Sequence, residues 1–379
     1  MNYKDWATET MKRILSKLEK TAPAIGARFP HMSEGKEFDE QAPRWWTNGF
    51  WPGLLWIAYQ QTQNEMYADM ANEIEEKMDV VLDEFDLVDH DAGFMWLLSA
   101  GANYMLKKND KSRRRLLKAA SFLASRYNMK GNYIRAWNNV KGYAIIDCTM
   151  NLPLLYWASN EIDDPRFRYI AEAHAETVLK HFIREDGSVN HIVEFDPYEG
   201  GVVCVRGGQG NAPDSAWSRG AAWALYGTAL AYRHLKDEKY LNACKKVANF
   251  FIANLPDDMV AHWDFRVDRE EDTPRDASAT ACAVCGMLEL ADHIGGPEGE
   301  NYRDKAYQIL RSLTDKYSNL DNDADQAILT HSTVSKPANK GINVGLIYAD
   351  YFYTEAISRL MGNKDLFWYS ESKRVEDSV

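Results

Sequence analysis

The chain has 379 residues, 45% of them hydrophobic, and a formal net charge of −12. This length and hydrophobic content suffice for a large buried core, while the negative charge argues against nucleic acid or an anionic membrane surface as a partner. No stretch approaches the roughly 20 apolar residues of a transmembrane helix.

The first residues and the cysteines bear on the compartment. The amino-terminal segment is polar and amphipathic and lacks the apolar region of a secretory signal peptide. The five cysteines are an odd number scattered along the chain, which favours reduced thiols. Cys282 and Cys285 form a single CxxC motif among small residues, which we interpret as buried core thiols rather than a zinc or redox site. We therefore predict a cytoplasmic protein.

Two kinds of helical segment alternate along the chain. One kind is amphipathic, with a charged face, and the other is apolar or small on most faces. The amphipathic segments are residues 5–20, 66–82, 112–127, 166–182, 240–255 and 302–317. The apolar segments begin near Gly49, Gly93, Asp147, Arg219, Ala277 and Gly345.

This alternation predicts how the helices pack. Apolar helices can be buried only if the amphipathic ones enclose them. Six pairs therefore favour an all-α (α/α)6 barrel, a six-hairpin toroid formed by residues 1–379 as a single domain. An open solenoid is the alternative, but the first and last apolar segments lack the polar faces that solenoid caps need.

In such a barrel the loops before the six inner helices meet at one mouth. These loops hold the polar and aromatic motifs of the chain, which include RWWTNGFW (44–51), DHDAGF (89–94), IIDCTMN (145–151), WSRGAAW (217–223) and HSTVSKP (331–337). Residues 187–217 are rich in strand- and turn-forming residues and too long for a simple connection. We predict that they form a wall or lid of the same mouth.

Two aspartates are the candidates for catalysis, since the chain has no phosphate-binding loop, GxSxG or HExxH motif in the required setting. An apolar lead-in precedes Asp147, and burial there should raise its pKa. Asp91 lies beside His90 in a more polar setting, and we expect it to stay ionised. Two carboxyl groups in different environments are typical of an acid/base site, although both could equally be helix N-caps.

An acidic protein needs a local cation to bind an anion. Arg219 lies between Trp217 and Trp223 at the start of an inner helix, where its guanidinium could bind a carboxylate through two hydrogen bonds. His191 and Gln209 lie in the predicted wall. Each could hydrogen-bond a hydroxyl or a carboxylate, or could serve the loop structure instead.

The order and content of these motifs resemble the unsaturated glucuronyl hydrolases, glycoside hydrolase family 88. The resemblance runs from residue 28 to residue 360 and rests on WTNGFWPG (46–53), DHDAGF, IIDCTMNLPLLYWA (145–158), GGQGN (207–211) with WSRGAAWALYG (217–227), and HWDF (262–265) with RDASA (275–279). It implies an (α/α)6 barrel and a hydrolase of oligosaccharides whose non-reducing uronic acid has a C4=C5 double bond. It implies no metal and no cofactor.

The resemblance also implies roles for individual residues. The enzyme would hydrate the double bond: Asp147 would protonate C4 and take a proton from the water that adds at C5, after which the hemiketal opens and the linkage breaks. Asp91 would hydrogen-bond the ring hydroxyls. The residues implied to bind the unsaturated sugar are His191, Gln209, Arg219 and Trp223. Those implied to pack on the substrate are Trp46 and Trp137.

The loop HSTVSKP has a looser resemblance. It is similar to a Ser- and Lys-bearing loop that contacts the sulfate in relatives acting on sulfated glycosaminoglycan disaccharides. Ser332, Ser335 and Lys336 are therefore candidates for sulfate recognition. An ordinary exposed loop is the alternative.

These inferences define an expected substrate and leave two other functions open. We expect a monomer or homodimer acting on an unsaturated disaccharide from chondroitin, hyaluronan or heparin. The alternatives are an unsaturated rhamnogalacturonyl hydrolase acting on pectin fragments and a non-catalytic sugar-binding toroid. DHDAGF together with IIDC favours the glucuronyl hydrolase, and a binding scaffold would gain nothing from an acid held protonated.

Overall fold

The structure is a computed structural model, which describes residues 3–268, 270, 273–364, 367 and 368. Its α-helices, in chain order, are α1 (Tyr3–Ile25), α2 (Phe50–Thr62), α3 (Glu65–Lys77), α4 (Asp79–Asp83), α5 (Ala92–Trp96), α6 (Ala102–Lys107), α7 (Asp110–Ser125), α8 (Pro153–Glu161), α9 (Pro165–His181), α10 (Ser218–Leu235), α11 (Glu238–Ala253), α12 (Ala277–Ile294), α13 (Gly296–Lys316) and α14 (Ile347–Leu360). A π-helical turn, Leu97–Gly101, joins α5 to α6. Short 3₁₀ turns are Trp46–Gly49, Phe85–Leu87 and Ile146–Asn151.

The helices form two layers whose burial follows the predicted alternation. The inner layer is α2, α5 with α6, α8, α10, α12 and α14, and every residue of α14 is buried. The outer layer is α1, α3, α7, α9, α11 and α13. An outer helix buries one stripe only, as α7 does with Ser112, Arg115, Leu116, Ala119, Ala120 and Leu123. This spacing of three and four residues is that of a helix with one wet face.

The ring of inner helices is closed. The last inner helix, α14, packs against the first, α2, and also against the outer helix α1. A Cβ on Gly53 of α2 would lie 2.8 Å from the ring of Tyr351 in α14, so glycine permits this close approach. The closure excludes an open solenoid and confirms the predicted (α/α)6 barrel.

Charged side chains are buried in the half of the barrel distant from the inner-helix starts. Arg233, Glu289 and Arg359 lie near the ends of α10, α12 and α14. Arg233 Nε donates to Glu289 Oε1 at 2.7 Å, and Arg359 Nη1 donates to Glu289 Oε2 at 2.8 Å. Glu355 Oε2 accepts a hydrogen bond of 2.8 Å from Trp368 Nε1. Pairing of this kind is what allows charges to stay buried.

Trp368, near the carboxyl end of the chain, fills the centre of the barrel. Its side chain is fully buried. The indole stacks on Phe352 with ring centroids 6.2 Å apart and an angle of 2° between the planes. It also contacts Tyr226 at 5.9 Å and Phe94 at 6.2 Å. The inner helices therefore pack around a residue that lies beyond the last of them.

Short antiparallel strands lie in the segments that connect the helices. They are β1 (Pro30–Ser33), β2 (Phe38–Glu40), β3 (Tyr127–Asn128), β4 (Tyr133–Ile134), β5 (Tyr143–Ile145), β6 (Ile192–Phe195), β7 (Val202–Arg206) and β8 (Gly345–Leu346). They form sheets of order β2-β1-β8, β3-β4 and β5-β6-β7. Strands β6 and β7 lie within residues 187–217, which confirms the strand character predicted there.

The length of the helices and the state of the cysteines can be compared with the sequence predictions. Within the described ranges no helix combines the length and the apolar character needed to cross a membrane. All five cysteines are free, and Cys282 and Cys285 are buried in α12 as predicted. The cytoplasmic location stays a prediction.

Candidate active site

Two of the predicted motifs, residues 89–94 and 145–151, meet where the inner helices begin. Asn151, four residues after Asp147, connects them. Its Nδ2 lies 3.4 Å from Asp91 Oδ1 and 3.2 Å from the carbonyl oxygen of Asp147, and its Oδ1 accepts the backbone N–H of Phe94 at 2.7 Å. A Cβ on Gly93 would lie 2.6 Å from the Cα of Asn151, so the two segments touch only because glycine is there.

The Asp147 carboxyl is placed by a sheet and poorly solvated. Strand β5 pairs with β6, and the Ile146 N–H donates to the His191 carbonyl at 3.0 Å, which holds Asp147 beside His191. The Asp147 side chain is 14% exposed. Burial raises the pKa of Asp147 to about 7, against the opposing effect of the Arg219 charge. This agrees with the burial predicted from the apolar lead-in.

Asp91 differs from the prediction. The loop that carries it is covered by a distant segment: the His90 backbone N–H donates to the Ala136 carbonyl at 3.2 Å, and the Trp137 ring lies edge-on to His90 at 5.8 Å. Asp91 is 7% exposed. Burial, with the nearby charges of Asp89 and Asp147, raises the pKa of Asp91 well above its ordinary value. The expected polar setting of Asp91 is therefore wrong, and burial opposes the ionised state that the sequence predicted.

The alternative that both aspartates serve as helix N-caps finds no support. Asp91 occupies the N-cap position of α5, but its side chain accepts no capping hydrogen bond. Asp147 lies inside the 3₁₀ turn Ile146–Asn151 rather than before a helix. Both carboxyl groups thus have oxygens free for other contacts.

His191 faces Asp147 across the mouth. Its Nε2 lies 3.7 Å from Asp147 Oδ2. His191 Nδ1 lies 2.9 Å from the Gln209 backbone nitrogen, which is a donor, and 3.1 Å from the Gly207 carbonyl oxygen, which is an acceptor. Either ring nitrogen can therefore carry the proton. Burial lowers the pKa of His191 to about 3, although its contact with the Gly207 carbonyl opposes the shift. His191 is therefore a neutral ring whose Nε2 faces the Asp147 carboxyl group.

Several polar atoms at this point are buried and have no hydrogen-bond partner among the residues that the structure describes. They are Asp147 Oδ2, His191 Nε2 and Trp223 Nε1. Buried polar atoms without partners are rare and costly. Here a carboxyl oxygen, an imidazole nitrogen and an indole N–H remain for a ligand, and a hydroxyl group can both donate to and accept from such atoms.

Arg219 is engaged by the protein itself. It is 2% exposed, and Nη1 pairs with Asp276 and donates to the Thr333 carbonyl at 2.6 Å. Nη2 donates to the Val334 carbonyl at 2.6 Å. The guanidinium also lies over the Trp217 ring, with 4.6 Å to the centroid. The two-bonded grip on a ligand carboxylate predicted for Arg219 is thus occupied here by Asp276 and the loop of residues 332–344.

Gln209 shares this anchoring role. Its Nε2 donates to the Val334 carbonyl at 2.5 Å. The amide nitrogen thus serves the loop structure, which is the alternative considered for Gln209 from the sequence. Val334 O accepts from both Gln209 and Arg219, so the wall and the fourth inner helix are tied to one loop.

Three aromatic side chains predicted to bind the substrate lie beside the motif of residues 89–94. Trp223 is fully buried and lies 5.1 Å from Phe94. Trp46 is partly buried and lies 5.7 Å from Phe94 and 5.0 Å from Tyr348. Trp137 is partly buried against His90. All three predicted tryptophans therefore contact the motif of residues 89–94, two of them at Phe94 and Trp137 at His90.

The loop predicted to read sulfate is a hairpin. The backbones of Ser332 and Val344 exchange hydrogen bonds of 2.9 Å, and those of Ser335 and Lys340 exchange hydrogen bonds of 3.0 Å. Ser332 is fully buried, whereas Lys336 is exposed at the tip. The loop lysine that contacts the aromatic rim is Lys340, whose ammonium lies 5.2 Å from the Trp45 ring centroid.

Sequence reasoning missed several residues of this site. Asn151 could have been found from its place one helical turn after Asp147. Asp276 lies in the RDASA motif, caps α12 through Oδ1 and pairs with Arg219 through Oδ2. Tyr348 and Lys340 gave no local signal, because their contacts with Arg219 and Trp45 join distant parts of the chain.

One group of residues has the spacing of metal ligands. Among the residues described, only Asp89, His90 and Asp91 bring three or more histidine, cysteine or carboxylate ligand atoms within 4.8 Å of one another. Hydrogen bonding accounts for this cluster without an ion: His90 Nδ1 contacts the Ala136 carbonyl, Nε2 faces Asp91, and Asp89 accepts the Asp91 backbone N–H.

Known proteins share this sequence and fold. The sequence model of Glycosyl Hydrolase Family 88 matches residues 17–362. An unsaturated glucuronyl hydrolase of Bacillus sp. (strain GL1) is 36% identical over 360 residues, which cover 92% of this chain and 95% of that one. An unsaturated chondroitin disaccharide hydrolase of Streptococcus pneumoniae is 37% identical over 330 residues, covering 85% and 83% of the two chains.

Solved structures agree. The crystal structure of the unsaturated glucuronyl hydrolase from Bacillus sp. GL1, responsible for the degradation of glycosaminoglycan, superposes with a TM-score of 0.89 at 34% identity, over 96% of this chain and 98% of that one. A variant of the Streptococcus agalactiae enzyme complexed with dGlcA-GalNAc6S has a TM-score of 0.83 at 30% identity, over 96% and 94%. The match in sequence and in barrel architecture over most of the chain shows that this protein belongs to glycoside hydrolase family 88 and is a glycoside hydrolase.

Proposed function

We propose that this enzyme releases the unsaturated (4,5-ene) uronic acid from the non-reducing end of lyase-generated glycosaminoglycan oligosaccharides. The relatives named above support this substrate class, since they include an unsaturated glucuronyl hydrolase and an unsaturated chondroitin disaccharide hydrolase. They also favour it over the rhamnogalacturonyl alternative. We further propose that the enzyme acts as a monomer or homodimer in the cytoplasm and needs no metal or cofactor.

The proposed reaction is hydration of the C4=C5 double bond. The Asp147 carboxylic acid gives its proton to C4. The carboxylate that remains takes a proton from a water molecule while the oxygen of that water bonds to C5. The product is a hemiketal at C5. Its ring opens to a ketone, which leaves a hemiacetal at C1, and this breaks down to an aldehyde and the free next sugar. The sum is the addition of one water, and Asp147 ends protonated as it began.

The observation that carries this proposal is the state of Asp147. A group that donates a proton and then accepts one works best with a pKa near the working pH, and the pKa of Asp147 is about 7. Its Oδ2 has no partner among the described residues and faces the His191 Nε2. In the proposal, His191 Nε2 and the Trp223 N–H form hydrogen bonds with the sugar, and Asp91 binds its hydroxyls.

Arg219 and Gln209 enter the proposal as positioning groups. Their bonds to Val334 hold the loop of residues 332–344 over the mouth, while the Arg219 charge lies close enough to Asp147 to oppose the rise of its pKa. A uronate carboxylate would be attracted by the same charge. Trp46 and Trp137 would pack on the faces of the sugar rings.

The test is to mix the protein with a panel of purified lyase products and follow the ultraviolet absorbance of the C4=C5 double bond. We expect the absorbance to fall with chondroitin-, hyaluronan- or heparin-derived unsaturated disaccharides. A fall only with pectin-derived rhamnogalacturonan fragments would show instead that the protein is an unsaturated rhamnogalacturonyl hydrolase. No fall with any product, together with measurable binding, would indicate a sugar-binding toroid.

A further inference from the structure

We propose that His90 is a positioning residue for the proposed reaction: its Nε2 accepts the proton of Asp91, so that Asp91 meets the substrate as a neutral carboxylic acid. The inference rests on the proposed function only for its kinetic consequence. Its structural part concerns where one proton lies in the resting protein.

The contacts of His90 determine which of its ring nitrogens carries a proton. Its Nδ1 lies 3.0 Å from the Ala136 carbonyl oxygen. A carbonyl oxygen can only accept, so Nδ1 must carry a proton and donate it. The other nearby acceptor, Asp89 Oδ1, is 4.0 Å from Nδ1 and is engaged by the Asp91 backbone N–H at 2.9 Å. With Nδ1 protonated, the neutral imidazole has a lone pair on Nε2.

The lone pair on His90 Nε2 faces the carboxyl group of Asp91. His90 Nε2 lies 3.3 Å from Asp91 Oδ1. A lone pair and an ionised carboxylate oxygen repel at this distance, and both atoms belong to side chains that are at most 10% exposed. One proton between them turns the contact into a hydrogen bond. It can sit on nitrogen, giving a buried ion pair, or on oxygen, giving a neutral pair.

The surroundings of the pair place the proton on oxygen. Burial lowers the pKa of His90 and raises the pKa of Asp91 well above its ordinary value, and both shifts favour the neutral pair. The titratable and charged groups whose charges act within this pair's surroundings come from several elements. They are Asp89 in the same loop, Arg126 after α7, Asp147 and Cys148 in the 3₁₀ turn, His174 in α9 and His191 before β6.

A neutral Asp91 has two consequences for the site. Its Oδ1 is committed to His90 and Asn151, which leaves Oδ2 to accept a hydrogen bond from a sugar hydroxyl. It also leaves Asp147 without a negative neighbour. An ionised Asp91 would raise the pKa of Asp147 further and would repel a substrate carboxylate.

The structural part can be tested without substrate. The chain has nine histidines, so selective ¹⁵N labelling with sequential assignment can identify the His90 ring signals. We expect a neutral ring protonated on Nδ1 from about pH 5 to about pH 8. Infrared difference spectra should show a protonated carboxyl band at neutral pH that is missing in Asp91→Asn. An imidazolium at His90, or a proton on Nε2 of a neutral ring, would overturn the proposal even if the enzyme proves active.

The kinetic part compares His90→Asn with His174→Asn. An asparagine amide can replace the Nδ1 contact of either ring, with the Ala136 carbonyl in one case and with the Ile134 backbone N–H in the other. Only the first substitution removes an acceptor from Asp91. His90→Asn should favour ionised Asp91, whose negative charge raises the pKa of Asp147. The alkaline limb of the pH profile of kcat/KM should therefore shift to higher pH by roughly one unit.

The control variant, His174→Asn, should lower stability without shifting the alkaline limb of the pH profile of kcat/KM. If His90→Asn lowers kcat/KM and leaves the limb where it is, His90 has only a packing role and the proposal fails. If the variant does not fold, the ring tautomer of the wild-type protein decides. If no substrate is turned over, the proposed function fails, while the NMR and infrared results still decide the place of the proton.

Discussion

Asp147 shows how one side chain acquires a chemical property from its surroundings. An aspartate in water has a pKa near 4, and burial behind strand β5 raises the pKa of this one to about 7. The apolar residues before it made this burial predictable. The burial of Asp91 was not predictable in the same way, because Ala136 and Trp137, which contact the neighbouring His90, lie about 45 positions further along the chain.

The first prediction concerns turnover. Asp147→Asn is nearly isosteric but has no proton to transfer, so kcat should fall by about 10²- to 10⁴-fold. Binding of the unsaturated disaccharide, measured by calorimetry, should change little. Activity within a few-fold of wild type would show that another group protonates C4.

The second prediction concerns stability and pH. The folded state binds the Asp147 proton more tightly than the unfolded chain, so this residue costs stability as pH rises from about 4 to about 7. Asparagine does not ionise. Asp147→Asn should therefore be more stable than wild type at pH 8, by up to about 4 kcal/mol, and about equally stable near pH 4. Urea unfolding at both pH values measures the difference. A difference independent of pH would mean that Asp147 does not titrate in this range.

Among the elements, the helices were the most predictable and the strands the least. A stripe such as that of α7 repeats over about three turns and is visible in the sequence. Strands of two residues, such as Tyr127–Asn128, are too short to show an alternation, and β1 pairs with β8 across most of the chain. The π-helical turn Leu97–Gly101 had no sequence signal either. These pieces are fixed by contacts that form only when the barrel closes.

The hairpin of residues 332–344 carries the third prediction, which is about sulfate. Lys340 lies against the aromatic rim, while Lys336 is exposed at the tip. A charge-assisted hydrogen bond is worth about 1.5–3 kcal/mol, which corresponds to roughly ten- to hundredfold in kcat/KM. We expect a sulfated unsaturated disaccharide to be preferred and Lys340→Ala to remove most of this preference through KM.

Lys336→Ala is the matched control, since both lysines lie on the same hairpin. It should leave the ratio of sulfated to unsulfated kcat/KM unchanged. The opposite pattern would restore Lys336, with Ser332 and Ser335, as the sulfate-reading set proposed from the sequence. Equal ratios in both variants and wild type would mean that the hairpin does not read sulfate.

At the scale of the whole molecule, the barrel was predictable because six repeats of one pattern have few ways to bury their apolar helices. The contacts between side chains inside the barrel were not predictable. The sequence does not reveal that Arg233, Glu289, Glu355 and Arg359 meet in one buried cluster, since each lies on a helix that also has many apolar residues. Nor does it place Trp368 at the centre.

The fourth prediction tests that central tryptophan. Trp368→Ala should lower the free energy of unfolding by about 3–5 kcal/mol, because a large buried ring is removed. Trp368→Phe keeps an aromatic ring against Phe352 but loses the hydrogen bond to Glu355, and should cost about 1–3 kcal/mol. Chemical unfolding measures both. Equal stability of the alanine variant and wild type would contradict a structural role for Trp368.

The contact between the first and last inner helices has a consequence for biosynthesis. While residues 347–368 are still inside the ribosome, α2 has no α14 beside it, and the cavity that Trp368 fills stays empty. Earlier hairpins can form as they emerge, but the ring cannot close before α14 has left the ribosome. The nascent chain must therefore carry an open arc of apolar helices, which makes it a natural client for chaperones until the last helix arrives.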